Sequence, residues 1–231
     1  MTFQTTSPGQ VEVRPSTAVA TAFLGQAFLW MFAGLLLTAG VAFVVQANEN
    51  VMRTVMDYWI FVFFGQLALV LVISAGIRRL SATLALGLFF VYAASLGFTM
   101  AVIVAAYTGE SVFTAFLAAS AMFGGAGLYG VITKRSLTGL GGILRMGVFG
   151  LIGAIVVNMF LPNGTFGWII SLVGVALFTV LTAYDVQRIS SGQLVAVTGS
   201  PEKAAVVGAL QLYLDFVNLF LFLLRLLGNR R

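Results

Sequence analysis

Residues 210–225 read LQLYLDFVNLFLFLLR, a run apolar enough for lipid with Asp215 in its middle and Asn218 three positions later. On a helix, positions three apart share a face, so the carboxylate and the amide point the same way. A carboxylate in the hydrocarbon core costs about 2.5–3.5 kcal/mol on insertion scales, so it faces a protein interior or a water-filled path. One other acid has a comparable setting: Asp185 in LTAYDVQRIS, near the end of the preceding apolar run. The rest of the chain reads as a scaffold that brings Asp185 and Asp215 together.

Composition fixes the class. Of the 231 residues, 60% are hydrophobic and 8% charged, where a soluble domain carries about 25% charged residues. Such a chain cannot cover itself for water; it is an integral membrane protein, and its first partner is the lipid bilayer. No polar stretch exceeds the N-terminal tail. The expected organisation is therefore a disordered cytoplasmic tail at 1–20 and one transmembrane domain at 21–228. The tail has no charged segment leading into a short apolar core, so it does not read as a signal peptide.

The net charge of +5, from 12 basic against 7 acidic residues, reads as topology. Lysine and arginine are retained on the cytoplasmic side, and no basic patch sits on a soluble surface to take nucleic acid. Histidine and cysteine are both absent. Disulfides, thiol nucleophiles, thiolate metal sites, Ser-His dyads and HExxH zinc sites are thereby excluded. No catalytic residue and no cofactor is assigned, and the chain does not read as an enzyme.

Seven apolar runs lie at about 21–45, 58–77, 82–107, 112–132, 143–161, 166 to 185 or 189, and 204–227. Each can cross a core of about 30 Å at about 1.5 Å per residue. The GGAG segment at 124–127 and the stripe of Gly147, Gly150 and Gly153 predict close packing between helices, because small residues let backbones approach in lipid. A phosphate-cradling loop would need a strand before it, and no strand pattern is present.

Arg14, Arg78, Arg79, Lys134, Arg135, Arg145, Arg188 and Lys203 fall on one side of this arrangement. That side is predicted to be cytoplasmic, with the N-terminus on it. Seven full crossings then place Arg230 and Arg231 outside, against the same rule. Either the last helix re-enters or it crosses regardless; a crossing is the expectation.

Asp185 should lie near the cytoplasmic end of the sixth helix, and Asp215 about twelve residues into the seventh. Two acids in contact at low dielectric cannot easily both ionise, so the pair should share a proton and respond to pH without histidine. Deprotonated, and with Asn218 beside them, they offer hard oxygen ligands to a divalent cation. Arg78 and Arg79 end the second run on the same face as Asp185. One of them could pair with that carboxylate and close the path; the alternative is that both are membrane anchors. Asn158 reads as an interhelical hydrogen bonder, and Arg225 as a side chain that snorkels to an interface.

The segments FTAFLAASAMFGGAGLYGVITKRSLTGLG (113–141), LFTVLTAYDVQRI (177–189) and LQLYLDFVNLFLFLLRLLG (210–228) resemble the bacterial branch of the Bax inhibitor-1 family, also called the transmembrane Bax inhibitor motif family. The resemblance implies an all-α membrane fold of seven transmembrane helices, the seventh enclosed by the other six. It implies a pH-sensitive calcium leak in the bacterial cytoplasmic (inner) membrane, governed by two aspartates that match Asp185 and Asp215. Calcium would be the transported ion, in transient contact with both. The family's latch arginine on the second helix corresponds to Arg79 on an ungapped count back from Gly97, with Arg78 the alternative. One departure is that the second helix here has no carboxylate, only Gln66.

The resemblance also implies a second role. Some bacterial relatives look like modulators of a membrane AAA protease, bound through the cytoplasmic tail, and the first helix, FLGQAFLWMFAGLLLTAGVAF (23–43), is similar in texture to that subgroup. An intramembrane aspartyl protease, a third class with paired acids, needs a GxGD motif around its second aspartate and a Pro-Ala-Leu motif. Here the second aspartate sits in LYLDF and no Pro-Ala-Leu occurs.

Overall fold

A computed structural model describes residues 17–231; Arg14 and most of the expected tail at 1–20 lie outside the described residues. In chain order the helices are α1 (Thr17–Gln46), α2 (Glu49–Asp57), α3 (Trp59–Gly76), α4 (Ala82–Ala105), α5 (Gly109–Ile132), α6 (Gly141–Phe160), α7 (Gly164–Ser190), α8 (Gln193–Thr198) and α9 (Pro201–Leu227). Seven of them are long and apolar enough to cross a membrane: α1, α3, α4, α5, α6, α7 and α9. The all-α, seven-span architecture is therefore as the apolar runs predict.

The loops stop and restart these helices by side-chain capping. Ser81, Thr108, Asn163 and Ser200 each accept a first-turn N–H, opening α4, α5, α7 and α9 respectively. Each cap satisfies a donor that would otherwise be orphaned at a helix end.

Two helices were not legible as apolar runs. The polar break QANENVMR folds into α2, because Asn48 accepts from the N–H groups of Asn50 and Val51 while Met52 and Val55 turn toward the core. Its outward face carries the exposed Arg53–Glu49 ion pair at 3.8 Å. The polar loop before α9 contains α8, bracketed by Gly192 (φ 73°) and Gly199 (φ 83°). Only glycine adopts that left-handed backbone without a steric penalty. Leu194 and Thr198, one turn apart on α8, are both buried.

The most buried helix is α9, which packs against α1, α4, α5 and α7, while α3 joins through α4 and α6 through α7. Its coverage opens laterally between α1 and α5. Phe216, Val217 and Phe220 floor an apolar crevice of about 430 Å³ between α1 and α5.

Close approach of backbones occurs at some of the glycines and not at others. A Cβ on Gly97 of α4 would stand 2.6 Å from Val41 and 2.9 Å from the Thr38 carbonyl of α1. Gly130 of α5 lies directly against the Ala183 carbonyl of α7, and Gly127 faces Val186 at 3.7 Å. Gly147 of α6 faces Leu177 at 3.0 Å, but Gly124, Gly125, Gly150 and Gly153 meet nothing. The expected stripe of three is thus a single contact. Steps of three residues turn about 60° short of a full circle on a 3.6-residue helix, so the stripe rotates away from α7 into the bilayer.

Buried polar groups tie the helices in pairs. Thr38 Oγ1 of α1 reaches the Ala93 carbonyl of α4 at 2.7 Å and Tyr213 OH of α9 at 2.6 Å. A hydroxyl has one proton to give. With Thr38 donating to the carbonyl, Tyr213 donates to Thr38. Gln66 of α3 donates through Nε2 to the Ser95 carbonyl and to Thr99 Oγ1 of α4, both at 2.9 Å.

The C-terminal residues settle how α9 ends. Thr108 N–H donates to the Asn229 carbonyl and Arg231 N–H to the Ala106 carbonyl, with Arg230 over the Tyr107 ring. The segment after α9 is pinned to the α4–α5 turn, at the opposite end of α4 from Arg78 and Arg79. The last helix crosses, and the re-entrant alternative falls.

Candidate functional site

The site is assembled by the antiparallel pairing of α7 and α9. Ile189 packs on Gly208, Phe222 on Gly174 and Arg225 on Gly167, so each step back along α7 matches a step forward along α9. In that register Asp185, near the C-terminal end of α7, meets Asp215 at the middle of α9. Their carboxylates are within hydrogen-bond reach of one another and are only 6% and 4% exposed. The pair that the sequence placed on two separate helices is one site.

Its polar surroundings are sparse. Arg188, three residues after Asp185 on α7, is the cationic group whose field acts on that carboxylate. Asp215 Oδ2 is buried without a hydrogen-bond partner, and so is Gln211 Oε1 one turn earlier on α9. Asn218 spends its Nδ2 on the Leu214 carbonyl of its own helix at 2.8 Å, which leaves its amide oxygen as its contribution to the shared face. Sequence reading took Asn218 and passed over Gln211, although Gln211 precedes Asp215 by four and therefore lies on the same face.

The arginines are near the site's end of the bundle and are not on the carboxylates. Arg78 Nε donates to the Val197 carbonyl of α8 at 2.9 Å, and Lys203 Nζ donates to the Arg78 carbonyl at 3.2 Å. Both bonds fasten the end of α3 to the α8–α9 connection. Arg79 makes a backbone bond to Gly76, and among the described residues its guanidinium has no hydrogen bond or ion pair. A second clamp at this end was not anticipated. Gln187 of α7 donates through Nε2 to the Arg135 carbonyl at 2.9 Å and accepts from Leu137 N–H at 2.7 Å, two residues from Asp185.

At the other end of α9, with its amide turned to satisfy both ends, Asn158 of α6 donates to the Asn163 carbonyl at 3.1 Å and accepts from Arg225 Nη2 at 3.3 Å. Asn158 is the interhelical bonder expected. Arg225 reaches across α7 to that amide.

Residues 20–231 match the family described as inhibitor of apoptosis-promoting Bax1. The inner membrane protein YbhL of Escherichia coli is 40% identical over 225 residues, covering 95% of this chain and 96% of that one. The chain belongs to the Bax inhibitor-1 family. Its bacterial relatives include an uncharacterized protein of Deinococcus radiodurans, 41% identical over 210 residues with 90% of each chain covered. Another, from Borreliella burgdorferi, is 39% identical over 215 residues, covering 90% of this chain and 92% of the relative. Among the described residues, no three His, Cys, Asp or Glu side chains gather into a metal-holding group.

Proposed function

We propose that the protein is a pH-sensitive cation leak of the bacterial inner membrane, with calcium as the transported ion and the Asp185–Asp215 pair as its sensor. The observation that carries this reading is the pair itself: two carboxylates in mutual contact, both buried within spanning helices. Holding one proton between them, the carboxylates suppress their repulsion and present little charge to a cation. Losing that proton creates a doubly anionic oxygen site that a divalent cation neutralises better than a monovalent one.

In the closed state, Arg79 or Arg78 pairs with Asp185, and protonation of the aspartate releases it. Movement of the α3 end against α8 is the accompanying shift, since Arg78 is bonded there. The lysines and arginines between α3 and α4, α5 and α6, and α7 and α9 share one face, which supports a cytoplasmic assignment for that face and for the N-terminus. The name of the E. coli relative, inner membrane protein, supports the location. The enclosed position of α9 is part of the same reading, because the path runs beside it.

Calcium flux into proteoliposomes between pH 5 and 8 tests the proposal, with wild type beside Asp185→Asn and Asp215→Asn. Flux whose pH dependence flattens in both variants is the expected result. Flux no greater than that of empty liposomes at every pH would remove the leak and leave partner binding in its place.

A further inference from the structure

Two carboxylates do not complete a site for a hard divalent cation, which takes six to eight oxygens. Among the described residues there is no third acid nearby to help. The missing ligand is visible in the hydrogen-bond pattern. Gln211 Oε1 and Asp215 Oδ2 are both buried acceptors, both without a donor, and they sit one turn apart on the same face of α9. Most buried oxygens in folded proteins are satisfied, so two bare acceptors one helical turn apart mark a place where something positive or protic belongs.

Among the described residues no donor is bonded to either oxygen. Neither α1 nor α4 contains a charged residue, and α5 contains only Glu110 at its far end. On α7, Arg188 acts on Asp185. Asn218 gives one of its two Nδ2 hydrogens to the Leu214 carbonyl of its own helix. The unfilled requirement is for a cation or its hydration water.

We propose that Gln211 is a ligand of the cation site, its amide oxygen joining the oxygens of Asp185 and Asp215, and that it sets the preference for a calcium-like divalent ion. The proposal rests on the leak reading for its role in transport, but the binding site can be tested without transport. Gln211→Met keeps the length of the side chain and removes the oxygen. Gln211→Glu keeps the oxygen and adds charge.

The experiment is equilibrium binding of calcium to the purified full chain in detergent, with terbium luminescence as a second readout. Thermal unfolding without added metal confirms that each variant is folded. Wild type should bind, Gln211→Met should bind about tenfold more weakly, and Gln211→Glu should bind at least as tightly as wild type at neutral pH. Equal calcium affinity of wild type and Gln211→Met, alongside loss of binding in Asp215→Asn, would overturn the role of Gln211 and spare the aspartate pair. No binding by wild type would overturn both, leaving water as the partner of the bare oxygens. Binding that responds to Gln211 in a protein that leaks no calcium would uphold the site and sink the leak.

Discussion

Asp215 at the centre of α9 lies against Asp185 near the end of α7, with Oδ2 of Asp215 buried and unpartnered. Two like charges held this way raise the energy of the folded state whenever both are ionised. Asp215→Asn should therefore raise the thermal midpoint at pH 8, where the wild-type pair is most exposed to repulsion. At pH 5, where repulsion between the two carboxylates is weaker, the same variant should unfold closer to wild type. Detergent-solubilised protein followed by intrinsic fluorescence gives both midpoints. A variant less stable than wild type at pH 8 would show the pair to be held by attraction from elsewhere.

Of the two arginines in the proposed latch, bonding favours Arg79. Arg78 is occupied with the Val197 carbonyl, whereas the Arg79 side chain has no partner among the described residues. Arg79→Gln should raise calcium leak at pH 7.5–8 several-fold, because the proposed closed state would lose its ion pair. Arg78→Gln should leave leak near wild type and lower stability by about 1 kcal/mol, the worth of one hydrogen bond. The reverse pattern in liposome flux would make Arg78 the latch.

Much of this was legible before the fold was known, and the parts that were not share a cause. The spans and the two aspartates announce themselves by contrast, since a charge in an apolar run stands out against every neighbour. Gln211 does not, because an uncharged amide in a membrane helix is ordinarily an interhelical hydrogen bonder and only a bare Oε1 marks it as something else. The short α2 and α8 were hidden because their helical character comes from caps and from a few buried residues, Val55 and Leu194 among them, and not from a long periodic run. The contact between Arg225 and Asn158 spans α9 and α6, so nothing local in either segment predicts it.

Helix packing gives a prediction with an internal control. A methyl on Gly130 would run into the Ala183 carbonyl beside the aspartate site, while one on Gly150 meets nothing. Gly130→Ala should destabilise by about 1–3 kcal/mol, the usual result of overfilling a packed contact. Gly150→Ala should be neutral or stabilising by up to about 1 kcal/mol, from helix propensity alone. Unfolding in mixed detergent measures both. Equal effects would mean that the α5–α7 contact yields without strain.

The Thr38–Tyr213 pair should couple α1 to α9. Removing the phenol in Tyr213→Phe leaves Thr38 bonded to the Ala93 carbonyl, so the loss is one hydrogen bond, about 1 kcal/mol. Removing the hydroxyl in Thr38→Val strands the buried Tyr213 OH as well and should be the more damaging, by about 1–3 kcal/mol. The double variant should cost less than the sum of the two, since it leaves nothing stranded. Strict additivity in a double-mutant cycle would show that the 2.6 Å contact does not bind the two helices.

The absence of cysteine makes the orientation directly measurable, because every introduced thiol is unique. Ser191→Cys, after α7, and Asn229→Cys, after α9, lie at opposite ends of the bundle. With the basic face cytoplasmic, a membrane-impermeant maleimide added to intact cells should label Asn229→Cys and leave Ser191→Cys unlabelled until the membrane is opened. Inverted vesicles should give the opposite pattern. Labelling of both positions from one side would contradict the crossing of α9, which the bonds from Asn229 and Arg231 to the α4–α5 turn require. Labelling of Ser191→Cys alone in intact cells would keep the fold and invert the protein, placing the aspartate pair nearer the outside and its proton supply with it.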